Sequence, residues 1–187
     1  MKKSAAVFML TGLLCILLTG CERTPGNLPE KTSALQNAEA SVIIKDHNGD
    51  TVTLPSVIDR IAVCDIYPLP SVLSVFFDSA DKIIAMAPAS MAAAENGLLS
   101  ELYPEILKAD TSAIGGTDVN TEELIKLDPQ VVFYCAESVQ LGEKLKKAGF
   151  NAVGISVNSW GYDAVDTLNE WIKLLSEIFP GDANGRA

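Results

Sequence analysis

Residues 119–135 have the sequence VNTEELIKLDPQVVFYC, which predicts a helix followed at once by a buried strand. Asn120 is a preferred N-cap residue, and Glu123 stands three positions later, where its carboxylate can fold back to the backbone N–H of the cap. The helix is predicted over residues 121–127 and ends before a proline. Residues 130–134 are then almost entirely apolar. A capped helix that leads into a strand buried on both faces is typical of the α/β class.

The same alternation of apolar runs and helical patterns continues on both sides of this stretch. Continuous apolar strands between amphipathic helices predict an open parallel sheet covered by helices on both faces, a Rossmann-like lobe. Further strands are predicted at residues 61–64, 82–86 and 152–155, and further helices at residues 69–77, 98–103, 139–148 and 162–179.

A β-hairpin is predicted in front of this sheet, with strands at residues 42–44 and 51–54. Asn48-Gly49 lies between them, and this pair favours tight hairpin turns because both residues accept a positive φ. His47, the only histidine, is therefore expected at the hairpin tip, exposed to solvent and acting neither as a ligand nor as a catalytic base.

The first residues of the chain have the pattern of a lipoprotein signal. A positive start and an apolar run, too short for a membrane span, are followed by LTGC at residues 18–21. The expected organisation is a signal peptide over residues 1–20 and a lipidated flexible tether over residues 21–40, whose polar composition lacks periodicity. Cys21 is the expected lipid attachment site, which places the protein outside the cytoplasm, anchored to the cell membrane.

Charge and cysteine content exclude several functions. The net charge is −10 and basic residues form no run, which argues against nucleic acid as a partner. The signatures of serine hydrolases, Walker nucleotide-binding proteins, zinc proteases and dinucleotide-binding enzymes are missing. Cys64 and Cys135 each end an apolar run without a C-x-x-C motif, so buried cysteines are expected, and no metal site or cofactor is expected. A disulfide between them stays open.

Candidate ligand-binding residues follow the predicted strands, because ligands of open parallel sheets lie beyond the carboxyl ends of the strands. Large apolar side chains and hydrogen-bonding groups are mixed there, which suits a sizeable, partly apolar ligand. A glycine pair before the helix of residues 121–127 adds backbone N–H groups. The candidates are Tyr67, Pro88, Ser90, Met91, Gly116, Thr117, Glu137, Asn158 and Trp160.

Taken in order, these features resemble the amino-terminal lobe of the binding proteins of iron–siderophore, haem and cobalamin ABC importers. The strongest match is residues 119–132, which is similar to the family's segment N-x-E-x-(I/L)-x-x-L-x-P-D and the strand after it, although Gln130 replaces the usual acid. The resemblance covers about residues 41–179. Its other matches are the hairpin at residues 43–54, the strands at residues 60–63 and 81–85, LYPE at residues 102–105 and LKKAGF at residues 145–150.

The resemblance implies a solute-binding protein that is not an enzyme, captures an iron chelate (a siderophore, haem or a cobalamin-like molecule) and delivers it to an ABC permease of the cytoplasmic membrane. In this family an acidic residue of each lobe docks onto the permease, and that position falls on Glu122, which the capping pattern independently leaves exposed. Residues 41–179 are then the amino-terminal lobe and residues 180–187 the truncated start of an inter-lobe linker, with the second lobe absent.

Two functions of other classes stay open at this point. One is a flavodoxin-like surface redox or enzyme domain that uses Cys64 or Cys135 as a reactive thiol. The other is an interaction lipoprotein that binds no small ligand. Thiol reactivity distinguishes the first from a binding protein, and titration with metal chelates distinguishes the second.

Overall fold

The described part of the chain begins at the predicted hairpin. The structure is a computed structural model, and it describes residues 41–116 and 118–181. The predicted signal peptide, the lipid site Cys21 and the tether lie outside these residues, as do Thr117 and residues 182–187.

The hairpin consists of two antiparallel strands, β1 (Ser41–Lys45) and β2 (Thr51–Pro55), which confirms its prediction. Alternate side chains of both strands are buried, as the period of a half-exposed strand requires. Ile44, Val52 and Leu54 are the buried ones, and they join the main core.

The tip of the hairpin, residues 46–50, is built around the Asp46 carboxylate. Its Oδ1 accepts the backbone N–H of Asn48 at 3.0 Å and of Asp50 at 2.9 Å. Gly49 has a φ of +80°, but Asn48 has no positive φ, so the tip is not the tight Asn-Gly turn that the sequence predicts. An aspartate that binds two backbone N–H groups stabilises a longer loop instead.

The expectation that His47 is exposed to solvent is wrong. Its side chain is half-buried against the sheet, where Nδ1 accepts the backbone N–H of Ser156 at 3.0 Å. The signal for this docking is absent from the local sequence, because the two residues lie 109 positions apart.

Four parallel strands form the sheet in the order β4-β3-β5-β6, which confirms the predicted fold class. β3 and β5 are central, and β6 is an outer strand, next to which the hairpin tip lies. Each strand lies within one residue of its predicted position. The strands are β3 (Ile61–Val63), β4 (Ile83–Met86), β5 (Val131–Cys135) and β6 (Ala152–Ile155).

Helices connect these strands, and α1 and α4 have the predicted bounds. The sequence does not predict α2, because its alanines carry no apolar periodicity, although Pro88 at its first turn favours a helix start. No helix among the described residues is long and apolar enough to cross a bilayer. The helices are α1 (Leu69–Phe77), α2 (Pro88–Glu95), α3 (Leu99–Leu102), a 3₁₀ helix (Pro104–Lys108), α4 (Thr121–Leu127), α5 (Val139–Lys147) and α6 (Ala164–Ile178).

Side chains of the sheet alternate between two cores. Ile61 and Val63 of β3 and Phe133 of β5 pack on the face that the hairpin, α1 and α6 cover. Ala62 and Tyr134 point to the opposite face, which α4 and α5 cover. A sheet buried on both faces explains why its strands are continuous apolar runs.

The N-terminus of α4 is capped as predicted, but only by one of the two predicted contacts. The Asn120 side chain accepts the backbone N–H of Glu122 and Glu123 at 3.1 and 3.3 Å. The predicted return contact from Glu123 is wrong, because the Asn120 N–H donates to Ala113 and the Glu123 carboxylate pairs with Lys126 at 2.7 Å. Glu122 is exposed.

Candidate binding site at the carboxyl edge of the sheet

Three loops and the first turn of α2 follow the carboxyl ends of the four parallel strands at one edge of the sheet. We call this edge the rim and define it as residues 65–67, 87–91, 136–138 and 156–160. The topology places most of the sequence-predicted site residues there, since parallel strands end on the same side. Gly116 is exposed in the loop before α4, and Thr117 lies outside the described residues.

The predicted rim residues differ in exposure. Tyr67 is 60% exposed and Ser90 only 4%. The Ser90 hydroxyl donates to the backbone carbonyl of Tyr67 at 3.3 Å, so it joins the first turn of α2 to the loop after β3. The remaining predicted rim residues are Pro88 and Glu137, which are exposed, and Met91, Asn158 and Trp160, which are half-buried.

Asp65 joins the loops that follow β3 and β5, a role that sequence reasoning missed. Its carboxylate accepts the backbone N–H of Cys135 at 2.8 Å and the hydroxyl of Ser138 at 2.5 Å. The only sequence signal is its position directly after a buried strand. A carboxylate that accepts hydrogen bonds from the last residue of β5 and from the loop after it fixes the spacing of the loops after β3 and β5.

Glu137 joins the loops that follow β5 and β6. Its carboxylate accepts the hydroxyl of Ser156, the thiol of Cys135 at 2.9 Å and, more weakly, the backbone N–H groups of Val157 and Asn158 at 3.3 and 3.4 Å. Burial alone raises the pKa of Glu137, but the hydrogen bonds from Cys135 and Ser156 outweigh it and hold the pKa below its usual value. The carboxylate that the sequence offers to a ligand is thus already bound within the rim.

Ser156, the first residue of the loop after β6, forms most of the hydrogen bonds that hold this loop. It is not among the residues predicted from the sequence. Its backbone N–H donates to His47, and its carbonyl accepts the indole N–H of the buried Trp171 at 2.7 Å. Its hydroxyl is also hydrogen-bonded to Ser159 at 2.6 Å. Every polar atom of Ser156 therefore has a partner, and these partners position the two residues that follow in the loop, Asn158 and Trp160.

An apolar pocket of about 410 Å³ adjoins the rim between α1 and α6. Among the described residues, the hydroxyl of Thr167 is buried there without a hydrogen-bond partner. A pocket of this size and composition can hold an apolar group. It is lined by Pro68, Val72, Val157, Tyr162, Ala164, Thr167, Leu168 and Trp171.

The two cysteines of the lobe are free thiols, so the open question of a disulfide between them is answered in the negative. Burial raises the pKa of Cys64 far above its ordinary value. Burial and the hydrogen bond to Glu137 raise the pKa of Cys135 to about 12. A reactive thiol needs a lowered pKa, so this arrangement does not favour a redox or nucleophilic site. Within residues 41–116 and 118–181, no group of three or more histidine, cysteine or acidic side chains is arranged to hold a metal ion.

Solved structures with the same fold identify the architecture. A periplasmic solute-binding protein from Veillonella parvula superposes with a TM-score of 0.68 at 27% sequence identity, over 77% of this chain and 43% of that protein. The described residues form one lobe of a periplasmic solute-binding protein fold. This solute-binding lobe spans less than half the length of that structure. No protein-family model matches the chain, and no curated protein does.

Two further structures share the fold of the solute-binding lobe at lower identity. The molybdate-binding protein MolA of Haemophilus influenzae has a TM-score of 0.60 at 22% identity, over 75% of this chain and 47% of its own. The heme-binding protein HmuT has a TM-score of 0.54 at 16% identity, over 86% of this chain and 48% of its own. The resemblance that the sequence gives to binding proteins of ABC transporters is therefore confirmed at the level of the fold.

Proposed function

We propose that the protein is the solute-binding component of an ABC importer, held outside the cytoplasm by a lipid on Cys21. The observation that carries this proposal is the rim of the solute-binding lobe, where four segments are joined side by side by their own hydrogen bonds. A binding surface that is ordered before the ligand arrives loses little conformational entropy on binding. In this proposal the protein catalyses no reaction, because the rim carboxylates of Asp65 and Glu137 are hydrogen-bonded within the lobe and the thiol of Cys135, next to the rim, has a raised pKa.

We infer that the ligand is a bulky, partly apolar metal chelate such as a siderophore, haem or a cobalamin-like molecule. The exposed ring of Tyr67, the half-buried ring of Trp160 and the apolar pocket beside them favour a ligand with a large apolar surface. Small oxyanions are less suited, because the rim has no lysine or arginine and carries the carboxylates of Asp65 and Glu137. The fold is shared by a heme-binding and a molybdate-binding protein, so both classes belong in the test.

Tryptophan fluorescence tests this choice directly. The chain has two tryptophans, Trp160 at the rim and Trp171 in the core. The full chain is titrated with haemin, cyanocobalamin, ferrioxamine B and sodium molybdate, with correction for absorbance. We expect saturable quenching by one of the three chelates and none by molybdate. The quenching is expected to be smaller in Trp160→Phe, in which Trp171, a lining residue of the apolar pocket, is the remaining emitter. A response to molybdate alone contradicts the ligand class, and a response to none of the four contradicts a chelate-binding rim.

The lipid anchor is tested separately, because Cys21 lies outside the described residues. Cells that express the chain are labelled with radioactive palmitate and separated into membrane and soluble fractions. The proposal predicts a labelled chain in the membrane fraction, and an unlabelled chain for Cys21→Ala. Label that persists in Cys21→Ala shows that the lipid is attached elsewhere.

We propose Glu122 as the residue that docks onto the permease. A helix between parallel strands runs antiparallel to the strand after it, so the N-terminus of α4 lies at the rim end of the solute-binding lobe. Glu122 is exposed there, while the neighbouring Glu123 is paired with Lys126. Glu122→Ala is expected to weaken association with the permease while leaving the urea midpoint unchanged.

Glu123→Ala is the matched control for this docking residue, since it removes the same charge from the same helical turn. Association is measured with the reconstituted permease in nanodiscs. Equal losses in both variants mean that docking depends on the diffuse negative charge of the lobe and not on Glu122. A loss of folding in Glu122→Ala with docking unchanged means that the residue is structural.

A further inference from the structure

The hairpin tip supplies hydrogen-bond partners to the outer strand of the sheet. β6 is an outer strand, and such a strand leaves backbone N–H and C=O groups without a strand partner. Asp46 Oδ2 accepts the N–H of Gly154 at 2.9 Å, and the N–H of His47 donates to the carbonyl of Gly154 at 3.0 Å. The side-chain amide of Asn48 donates to the hydroxyl of Tyr134 at 3.0 Å. The tip is therefore attached to β5 and β6 by contacts that involve three of its residues.

The His47 ring extends this attachment to the rim. Its Nδ1 accepts the N–H of Ser156, the first residue of the loop after β6. Its ring meets the ring of Trp160 edge to face, with 4.9 Å between the ring centroids. A ring nitrogen that accepts a hydrogen bond carries no proton, so this geometry belongs to the neutral imidazole.

We propose that His47 is the positioning residue of the ligand site, whose neutral ring holds residues 156–160 and the Trp160 side chain in place and releases them when it is protonated. The proposal rests on the proposed function only in assigning ligand contact to Trp160. The coupling between His47 and the loop stands on the structure alone. The affinity for the ligand is then highest at neutral pH, and acidification lowers it.

Charged groups face His47 from each element packed against it. Asp46 lies beside it in the hairpin, Glu170 lies on α6, and Glu137 lies on the rim. Three further charged side chains, from Lys45 on β1 and from Lys173 and Glu177 on α6, line the shallow pocket at its side. Burial of the ring lowers the pKa of His47, and the three nearby carboxylates oppose this without cancelling it.

The sign of the pH effect follows from that balance. The unfolded chain has an ordinary histidine with a pKa of 6.5, and the folded chain binds the proton less readily. The free energy that neutral His47 contributes to the stability of the folded chain is therefore fully present above pH 6.5 and is lost as the pH falls below that value. On protonation, Nδ1 carries a hydrogen that faces the Ser156 N–H, so the contact becomes a clash between two donors.

The first experiment needs no ligand. Tryptophan emission of the full chain is followed from pH 8 to pH 4.5, and we expect one transition with a midpoint below 6.5. The transition is expected to be smaller in Trp160→Phe, in which only Trp171, hydrogen-bonded to the Ser156 carbonyl, reports the loop. His47→Asn keeps an acceptor at nearly the same place without a proton to gain, so its emission, changed at pH 8 by the loss of the ring contact with Trp160, is expected to stay constant on acidification. His47→Ala resembles the acidified parent at every pH. A transition that persists in His47→Asn, or a parent without one, overturns the proposal.

The second experiment connects the switch to binding. The affinity for the chelate that quenches in the titration (haemin, cyanocobalamin or ferrioxamine B) is measured at pH 7.5 and at a pH well below the midpoint of the emission transition. We expect a loss of about fivefold in the parent, the factor for one net hydrogen bond, and none in His47→Asn. Binding without pH dependence in the parent overturns the role of His47 in the site. If neither ferrioxamine B nor the other chelates bind at any pH while the emission transition behaves as expected, the proposed function fails and the positioning of the loop by His47 is supported.

Discussion

Replacement of Asp46 by alanine tests whether the hairpin tip is held on the outer strand. Asp46 is 5% exposed, and its carboxylate accepts three backbone N–H groups, those of Asn48, Asp50 and Gly154. Asp46→Ala leaves all three donors without their acceptor. The donors of the first two residues belong to an exposed loop, where water replaces the carboxylate at small cost. The N–H of Gly154 is buried, so it loses its acceptor without replacement.

The magnitude follows from these two environments. An unsatisfied buried donor costs about 1–3 kcal/mol, and each exposed hydrogen bond contributes about 0.5 kcal/mol. We therefore expect Asp46→Ala to lower the free energy of unfolding by about 3 kcal/mol. Asp50→Asn is the matched control, since it changes the other aspartate of the tip, whose carboxylate forms an exposed ion pair with Lys146. Exposed pairs contribute little, so this variant is expected to lose less than about 1 kcal/mol.

Urea denaturation followed by circular dichroism measures both losses, and equal slopes confirm that the same surface unfolds. Hydrogen exchange locates the effect, because the amide of Gly154 should lose protection in Asp46→Ala while amides of β3 keep theirs. The reasoning is refuted if Asp46→Ala and Asp50→Asn differ by less than about 0.5 kcal/mol. Equal exchange at Gly154 in the parent and in Asp46→Ala would refute the docking of the tip on β6 independently.

Two other predictions concern close approach and thiol reactivity. Gly154→Ala places a Cβ about 2.5 Å from the side chain of Asn48, so a loss of about 1–3 kcal/mol is expected in urea denaturation, whereas Gly116→Ala meets nothing within 4 Å and should be neutral. A pKa near 12 at Cys135 predicts that iodoacetamide alkylates this thiol at pH 8 about a thousandfold more slowly than a free cysteine. The rate is expected to be higher in Glu137→Gln, which removes the carboxylate that raises the pKa. Rapid labelling of the parent would support the redox hypothesis instead.

Local signals predicted the elements of the fold well. The helix at residues 121–127 is marked by an N-cap asparagine and a following proline, and the structure has these bounds. The strand at residues 152–155 is a short apolar run between polar residues, and its bounds are also as predicted. Both segments carry their start and stop signals within a few residues, so the surrounding structure is not needed to place them.

Elements and contacts without local signals were missed. The helix Pro88–Glu95 has alanines where an amphipathic helix has large apolar residues, so the sequence pattern predicts no helix there. The return contact of Glu123 was expected from a motif, but Ala113 supplies the carbonyl that the Asn120 N–H binds. Here a tertiary contact replaces a local one, and local patterns cannot show such competition.

The location of the candidate site was predictable from topology, but the way it is held together was not. The rule that ligands lie at the carboxyl ends of parallel strands pointed to Tyr67 and Trp160, and the structure has both residues at the rim. The contacts that order these loops join residues that are distant in sequence, such as Asp65 and Ser138, 73 positions apart. Asp65 and Ser156 look like ordinary turn residues in the sequence, and only the folded chain shows that each joins two loops.

The hairpin connects the stability of the lobe to the order of its rim. A two-stranded hairpin is at best marginally stable alone, so β1 and β2 depend on the core residues they share with the lobe. The rim depends in turn on the hairpin tip, because His47 is the acceptor for the first N–H of the loop that carries Trp160. A ligand that binds this loop must therefore stabilise the docked tip by the same free energy by which the docked tip strengthens ligand binding, since coupling between two sites is reciprocal.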